Sequence, residues 1–432
     1  MIKTKIVYVG LSADILHEGH INILKTAAKL GSVTVGLLTD KAIFSYKKFP
    51  LLDYKQRAVV LKSLKYVKKI YPQDSLDYTE NLKIFKPDYL VHGDDWRKGI
   101  QKKTRSLAIK TLKKWGGKLI EPKYTKNISS SQIKAKILKI GTTPDARRSK
   151  LKRLIYSKDI VRIIESHNAL TGLIVENLNT TYKGKYSEFD GMWSSSLTDS
   201  AVRGKPDNQS VDYSTRILGL NEILDVTTKP VIFDADNGGR IEHIPYMIKS
   251  LDRAGISAVV FEDKVGLKKN SLFKDQSKVK QDTIRNFSKK IKKANSSKVS
   301  GDLLIVARIE SLILGKGVGD ALKRAEAYSQ AGADAILIHS KEKKPNKIFQ
   351  FAKQFKKSKN YKPMIAVPST YSSTKEKDLI KEGFKIVIYA NHLLRAAYPA
   401  MVDVAKDILK YQRSYESEKK IVPIKEVINL IK

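Results

Sequence analysis

Residues 256–271 read ISAVVFEDKVGLKKNS, and the fold turns on this stretch. Ile256 to Phe261 is a run of apolar and β-branched residues that reads as a buried strand. Glu262-Asp263-Lys264 follows at once, then Lys268, Asn270 and Ser271. An acid pair, lysines and an Asn-Ser pair therefore lie on the loop that leaves a strand. In a (β/α) barrel those loops converge on one face and carry the chemistry. Carboxylates there can hold Mg²⁺, while a lysine, an amide and a hydroxyl can hold an anion.

Outward from this stretch, eight strand-like runs are predicted: Leu170 to Val175, Phe189 to Ser195, Pro230 to Asp234, Ile256 to Glu262, Leu303 to Ile309, Ala333 to His339, Met364 to Val367 and Phe384 to Tyr389. Most are separated by helical patterns, and the region has the size of a closed (β/α)8 barrel. Polar clusters end five of the runs: Trp193-Ser194-Ser195, Asp234-Ala235-Asp236, Glu262-Asp263-Lys264, Arg308-Ile309-Glu310 and His339-Ser340. A barrel brings these ends around one mouth. Asp234, Asp236 and Glu262 are hard oxygen ligands for Mg²⁺, directly or through its waters. Arg308 and His339 offer donors to a phosphoryl group. Asn270 and Ser271 can bind phosphoryl oxygens, with Lys268 adding charge. Backbone N–H groups around Ser195 to Leu197 are placed for a carboxylate. Such a site suits a small acid that carries phosphorus.

The first part of the chain reads differently. Ile6 to Gly10 is a buried strand, and Leu11 to Leu16 a loop. His17-Glu18-Gly19-His20 opens a helical pattern from Ile21 to Leu30, and Val33 to Leu38 is a second strand. That order is a βαβ unit with a parallel sheet. Two imidazoles at a helix start, beside free backbone N–H groups, favour phosphate. Gly141 to Arg148 has turn composition, and Thr143 precedes a proline, which disfavours helix there. We therefore expect a domain at 1–142, a linker at 143–149 and a barrel domain at 150–432. The barrel domain would open with an amphipathic helix from Ser149 that carries Leu151, Leu154, Ile155, Ile160 and Ile163-Ile164.

The chain of 432 residues has 41% hydrophobic residues, no cysteine and a formal net charge of +38. No apolar run is long enough to span a bilayer, and the start, MIKTKIVYVG, reads as a strand and not as a signal peptide. Without cysteine there is no disulfide, thiolate catalysis or thiolate zinc site, which fits a reducing cytoplasm. The charge suggests nucleic acid. The lysines, however, are spread along the chain, and no aromatic-basic alternation interleaves them. Nucleic acid is therefore disfavoured against a solvated lysine-rich surface whose field draws in phosphorylated substrates.

The EDK-x5-NS spacing resembles the signature of the phosphoenolpyruvate mutase family within the isocitrate lyase superfamily. Trp193 to Leu197, Phe233 to Asp236, Ala307 to Glu310 and Ala321 to Ser340 extend the likeness. The resemblance implies a Mg²⁺-dependent interconversion of phosphoenolpyruvate and phosphonopyruvate. It implies catalytic Asp207, Lys268, Arg308 and His339, substrate-binding Trp193, Ser195, Leu197, Asn270 and Ser271, and metal-binding Asp234, Asp236 and Glu262. Asp207 matches a mobile-loop aspartate that receives or guides the phosphoryl group, within a lid at Gly204 to Asp212 that excludes water. Phosphonopyruvate hydrolase is the near alternative; the Asp207-Asn208 pair resembles the mutase pattern. Isocitrate lyase is disfavoured, since its Lys-Lys-Cys-Gly-His motif is absent.

The first 142 residues resemble nucleotidyltransferases of the glycerol-3-phosphate and phosphoethanolamine cytidylyltransferase type. The likeness rests on Asp14, the HxGH motif, Leu38-Thr39-Asp40, His92 to Trp96 and Ile128 to Ser131. It implies a Rossmann-like domain that binds CTP through His17, His20, Lys48, Arg57, Asp94, Thr125, Ser129 and Ser130. Tyr124 stands where that family has an arginine. Together the two likenesses imply a bifunctional α/β enzyme of phosphonate biosynthesis that forms dimers or tetramers. Its first domain would transfer CMP to a phosphonate such as 2-aminoethylphosphonate. If that domain is instead inactive, it serves as a docking or oligomerisation module.

Overall fold

The computed structural model describes residues 4–46, 50–97, 101–123, 143–182, 185–271, 273, 276 and 278–430. The chain divides into two compact units. One takes in Met1–Thr142 with Tyr156–Lys158 and Leu178–Glu188; the other takes in Thr143–Ile155, Asp159–Asn177 and Phe189–Lys432.

The first unit is built on five parallel strands: β1 (Ile6–Leu11), β2 (Ser32–Leu38), β3 (Lys69–Gln73), β4 (Tyr89–Val91) and β5 (Lys118–Ile120). Their order is β3-β2-β1-β4-β5. The central strands are continuous apolar runs because helices cover both faces. Val7, Val9, Val35 and Leu37 are wholly buried. The chain moves outward from β1 to β3, then returns to the other side of β1 at β4. Ligands of open parallel sheets bind at such a reversal, beyond the carboxyl ends of the strands.

The second unit contains a closed parallel barrel of eight strands. These are β6 (Val161–Glu165), β9 (Gly191–Ser194), β10 (Val231–Asp234), β11 (Ala258–Glu262), β14 (Leu304–Ile309), β15 (Ala335–Ile338), β16 (Met364–Ala366) and β17 (Phe384–Tyr389). Two short hairpins also form, β7 (Asn179–Tyr182) with β8 (Lys185–Glu188) in the first unit and β12 (Lys264–Val265) with β13 (Lys280–Gln281) in the second. Phe233, Phe261, Phe287, Phe351 and Phe384 fill the space between strands and outer helices with no exposure. Each contributes on the order of 2 kcal/mol by leaving water.

The barrel forms as expected, but its first strand lies elsewhere. The run Leu170 to Val175 belongs to a helix, Ala169–Asn177. Asn168 explains the difference, because its side-chain oxygen accepts from the Thr171 N–H at 2.9 Å and caps the helix. Its buried residues, Thr171, Gly172, Val175 and Glu176, have helical spacing, and Leu170 and Ile174 are exposed. The first strand is Val161–Glu165, where the sequence pattern reads as a continuation of the preceding helix. Lys158 to Ile160 breaks that helix, and β6 then pairs with β17 and β9.

The stretch expected to be a linker is also ordered. Pro144–Ser157 is a helix. Proline is favoured at a first helical position, and Thr143 acts as its cap, its hydroxyl accepting from the Ala146 N–H at 3.3 Å. Arg147 and Arg148 are buried. Arg147 donates to the carbonyls of Ala254 and Leu224, and Arg148 pairs with Asp252 at 2.8 Å. Gly255, at φ +83°, lets Pro144 approach so closely that a Cβ there would meet its Cα at 2.6 Å.

Candidate active site

All eight strands run the same way, so their carboxyl ends form one rim. Asp234 ends β10, and Glu262 ends β11. Arg308 lies at the end of β14 with Glu310 just beyond it, and His339 follows β15. Beyond β10 the backbone turns sharply. Asp236 (φ 51°) adopts the left-handed conformation that a non-glycine residue enters only at a cost, and Gly238 and Gly239 follow with positive φ. The Asp236 N–H donates to Asp234 Oδ1 at 3.1 Å.

Lys268 is the hub of the mouth. Its ammonium stands 2.5 Å from Asp236 Oδ1, 3.0 Å from Asp207 Oδ1 and 3.9 Å from Asp234 Oδ2. It also donates to the Ser196 hydroxyl, which donates to Asp234 Oδ2 at 3.0 Å. Burial pushes the lysine down, but Asp236, Asp234 and Asp207 outweigh it and hold the ammonium charged well above the usual lysine range. Burial likewise acts against charge on Asp234, and Lys268 with Arg308 and Arg216 overcomes it, leaving that carboxyl below its ordinary value. Asp207 Oδ2 accepts from Asn270 Nδ2 at 2.9 Å. The Gly204 to Asp212 segment is thus drawn over the mouth by one amide and one ammonium.

A second network surrounds Arg308. Its Nε donates to Glu310 Oε1 at 2.6 Å, and an outer nitrogen donates to Ser271 Oγ at 2.8 Å. Ser271 donates to Glu310 Oε2 at 2.6 Å and accepts from Lys264 at 2.9 Å. Burial opposes charge on Arg308, but Glu310 and Glu262 keep it fully protonated. Burial also opposes charge on Glu310, which Arg308 and Lys264 nevertheless hold far below the usual carboxylate range. His339 is the reverse case: burial, reinforced by Arg308, lowers it to about 3, so it offers a neutral N–H and no positive charge.

Glu262 stands apart. Burial pushes it up to about 7 against the pull of Arg308 and Lys264. Both of its oxygens are buried without a hydrogen-bond partner, and the nearest cations lie 3.4 Å away. A buried carboxylate with open lone pairs suits a hard divalent cation. Among the described residues, however, no group of three His, Asp or Glu side chains converges on one ion position. The expectation allows Asp234, Asp236 and Glu262 to reach the ion directly or through its waters. The ammonium of Lys268 stands between the two aspartates and neutralises them.

The predicted substrate residues line the same rim. Trp193 is buried in β9. Ser195 is the N-cap of the helix Ser196–Ala201, and Leu197 is half-buried in its first turn. Sequence reasoning missed the roles of Ser196, Lys264, Glu310 and Arg216. Arg216 is buried beneath the Asp234 turn. It pairs with Asp199 at 2.9 Å and donates to the Asp234 carbonyl at 2.5 Å. Glu310 and Lys264 did lie in the quoted motifs, but nothing in their spacing showed that they orient Ser271.

In the first unit, His17 is the N-cap of the helix Glu18–Ala28. Gly19 N–H donates to His17 Nδ1 at 3.2 Å, and His17 N–H donates to His20 Nδ1 at 3.4 Å. Each Nδ1 is an acceptor, so each ring carries its proton on Nε2 and offers it as a donor. The rings lie 4.0 Å apart. Burial lowers His17, which favours the neutral form. His92 follows β4, the strand beside β1, and stacks on Trp96 at 3.9 Å. Asp94 is half-buried at the start of the turn Asp94–Arg97. Trp96, Arg97 and Arg105 all donate to the carboxylate of Glu121.

Arg57 is not placed as a phosphate ligand. It is buried, pairs with Asp40 at 2.6 Å and donates to the carbonyls of Ser12, Leu38 and Leu52. Asp14 Oδ1 accepts from the Leu51 and Leu52 N–H groups at 2.7 and 3.2 Å. The two residues clamp the loop that precedes the HxGH motif. Lys48, Tyr124, Thr125, Ser129 and Ser130 lie outside the described residues.

Residues 151–409 match the family profile of phosphoenolpyruvate phosphomutase, and residues 8–136 match the cytidylyltransferase-like profile. The phosphoenolpyruvate phosphomutase of Tetrahymena pyriformis is 37% identical over 298 residues, covering 68% of this chain and 95% of that one. The phosphonopyruvate hydrolase of Variovorax sp. is 34% identical over 273 residues, 62% of this chain and 91% of that one. Among solved structures, phosphoenolpyruvate phosphomutase from Streptomyces platensis subsp. rosaceus superposes with a TM-score of 0.60 at 33% identity, over 66% of this chain and 94% of that one. A phosphonopyruvate hydrolase in complex with oxalate and Mg²⁺ gives 0.58 at 30% identity, over 67% of this chain and 95% of that one. With the barrel, its rim residues and these likenesses in agreement, the chain belongs to the phosphoenolpyruvate phosphomutase family and carries a cytidylyltransferase-like domain ahead of the barrel.

Proposed function

We propose that the barrel interconverts phosphonopyruvate and phosphoenolpyruvate, and that the first domain transfers CMP from CTP to a phosphonate such as 2-aminoethylphosphonate. The observation that carries the barrel reading is the placement of Asp207. Its carboxylate is fixed by Lys268 and Asn270 over the rim formed by Asp234, Asp236, Glu262 and Arg308. In this reading Asp234, Asp236 and Glu262 hold Mg²⁺, in part through its waters, since Mg²⁺ dehydrates reluctantly. When bound, the ion supplies Lewis-acid polarisation of the substrate's oxygens. Arg308, Ser271, Asn270 and neutral His339 donate to the phosphoryl oxygens. Amides at Ser195 to Leu197 and the body of Trp193 receive the carboxylate end. Asp207 receives or guides the phosphoryl group as the carbon–phosphorus bond breaks, leaving the enolate of pyruvate. The phosphorus then bonds to the enolate oxygen.

In the first domain, Nε2–H donors from His17 and His20 stabilise charge as a phosphonate oxygen attacks the α-phosphorus of CTP and pyrophosphate leaves. The fusion of the two domains supports the choice of a phosphonate as acceptor. No helix among the described residues is long and apolar enough to cross a membrane, and a cysteine-free chain acting on CTP suits the cytoplasm. The reading includes a homo-oligomer, supported by exposed Tyr398, Met401 and Leu409 on the helix His392–Tyr411; light scattering on the purified protein would give the mass.

Phosphorus NMR tests both activities. Phosphonopyruvate with Mg²⁺ should lose its phosphonate signal to a phosphate ester. Inorganic phosphate in its place would establish the hydrolase reading instead. CTP with aminoethylphosphonate should release pyrophosphate, and its absence would leave the first domain a docking module.

A further inference from the structure

Asp207 and its partners are not the only attachment of the lid. Two residues on, Gln209 sits at φ 71°, a left-handed conformation that costs energy for a side chain with a Cβ. Its amide Nε2 donates to Asn237 Oδ1 at 3.1 Å. Asn237 is 7% exposed and is satisfied on every side. Its Oδ1 also accepts from the Gly239 N–H at 3.0 Å, its Nδ2 donates to the Gly266 carbonyl at 2.9 Å, and its own carbonyl accepts from Lys290 at 2.8 Å. One carboxamide thus ties together the lid, the loop that carries Lys268 and Asn270, and the turn that carries Asp236. None of these bonds involves the residues assigned to phosphoryl transfer.

We propose that Asn237 is the latch of the lid and that, through Gln209, it determines whether the migrating phosphoryl group stays with the organic substrate or passes to water. The inference rests on the reading of the mouth as a phosphoryl-transfer site. With the lid latched, the carbon–phosphorus bond of phosphonopyruvate breaks, its electron pair goes to the enolate, and phosphorus bonds to the enolate oxygen. With the latch cut, a water oxygen bonds to phosphorus instead. One water proton goes to the enolate carbon, so phosphonopyruvate and water yield pyruvate and inorganic phosphate. Closure that excludes water is what protects a reactive phosphoryl group.

The test uses Gln209→Ala, which leaves the Asn237–Gly266 bond intact, and Asn237→Ala, which removes both arms. Each is followed by phosphorus NMR during phosphonopyruvate turnover and by hydrogen exchange of residues 204–212. Losing one ordinary hydrogen bond shifts an opening equilibrium about fivefold, and the double loss in Asn237→Ala more. The expected result is lid exchange faster by that factor or greater and a several-fold rise in the inorganic phosphate share, with circular dichroism unchanged. A merely structural role would lower turnover without moving that share. Unchanged lid exchange and an unchanged product ratio in both variants would overturn the latch. If the parent protein forms no phosphoenolpyruvate, the mutase reading fails by itself, and lid exchange alone then decides for or against the latch.

Discussion

Replacing Lys268 with methionine tests the electrostatics of the mouth most directly. The side chain is only 5% exposed, and its ammonium faces Asp236, Asp207 and Asp234 at 2.5, 3.0 and 3.9 Å. Unit charges 4 Å apart interact by about 4 kcal/mol at an effective dielectric constant of about 20. Much of that is offset by the desolvation of the pair. Removing one partner of a buried pair has a measured cost of about 3–5 kcal/mol, because the opposite charge is left stranded. Methionine preserves most of the volume, so the loss reads as charge and not as a cavity. For a domain of this size, about 1 kcal/mol moves the melting temperature by roughly 2–4 °C. Lys268→Met in chelator-treated buffer should therefore melt roughly 6–20 °C below the parent protein. Added Mg²⁺ should raise the variant's melting temperature more than the parent's, since the unneutralised aspartates attract the ion more strongly. Differential scanning calorimetry with and without Mg²⁺ measures both. A variant that melts with the parent and responds equally to Mg²⁺ would refute the picture of Lys268 as the internal counter-ion.

Glu262→Gln should change the pH dependence of stability. The folded value of about 7 lies above the ordinary glutamate range, so without metal the carboxyl binds its proton more tightly when folded, and stability falls as pH rises through that window. The gap in melting temperature between Glu262→Gln and the parent should then grow in favour of the variant from pH 5 to pH 8, and Mg²⁺ should reverse its sign; a pH-independent gap would count against the buried-carboxyl account. Glu121 behaves oppositely. The Arg105 hydrogen bond, with Arg97 and Trp96, holds it well below the usual carboxylate range. Its contribution is present above the ordinary carboxylate value and is lost as pH falls through the depressed one. Because the arginines are partly exposed, Glu121→Gln should cost only about 1–2 kcal/mol at neutral pH, and urea unfolding of the first domain at pH 7 and pH 3 would show the difference shrink as the unfolded chain's carboxyl takes up its proton. Arg57→Lys should weaken the first domain by about 2–4 kcal/mol, because one ammonium cannot serve Asp40 and the three carbonyls. Pyrophosphate release should fall while phosphonopyruvate turnover is retained; equal loss of both would contradict a local clamp.

The barrel was legible because a parallel strand buried on both faces is a continuous apolar run, and five such runs ended in polar clusters. β6 was lost because Val161–Glu165 follows a helix with only a short break, while Ala169–Asn177 presents a run dense enough to mimic a strand. Periodicity cannot separate the two at that length; the Asn168 cap could have. Within the site, residue types disclosed the chemistry but not the partners. Asp207, Lys268 and Asn270 do meet, and Arg308 joins Ser271 beside them, yet nothing in their spacing put Lys268 between Asp234 and Asp236. Arg57 misled for a related reason. A cation near a phosphate motif reads as a ligand, whereas burial beside Asp40 makes it a brace.

The helix Pro144–Ser157 bears on how the two halves can be separated. A barrel fragment begun at residue 150, where composition suggests a seam, would discard Arg147 and Arg148. It would strip the buried carboxylate of Asp252 of its guanidinium and leave the carbonyls of Leu224, Thr227 and Ala254 without a donor. Insolubility of such a fragment would say nothing about whether the halves depend on each other. Only a cut ahead of Thr143 leaves the floor of the barrel whole.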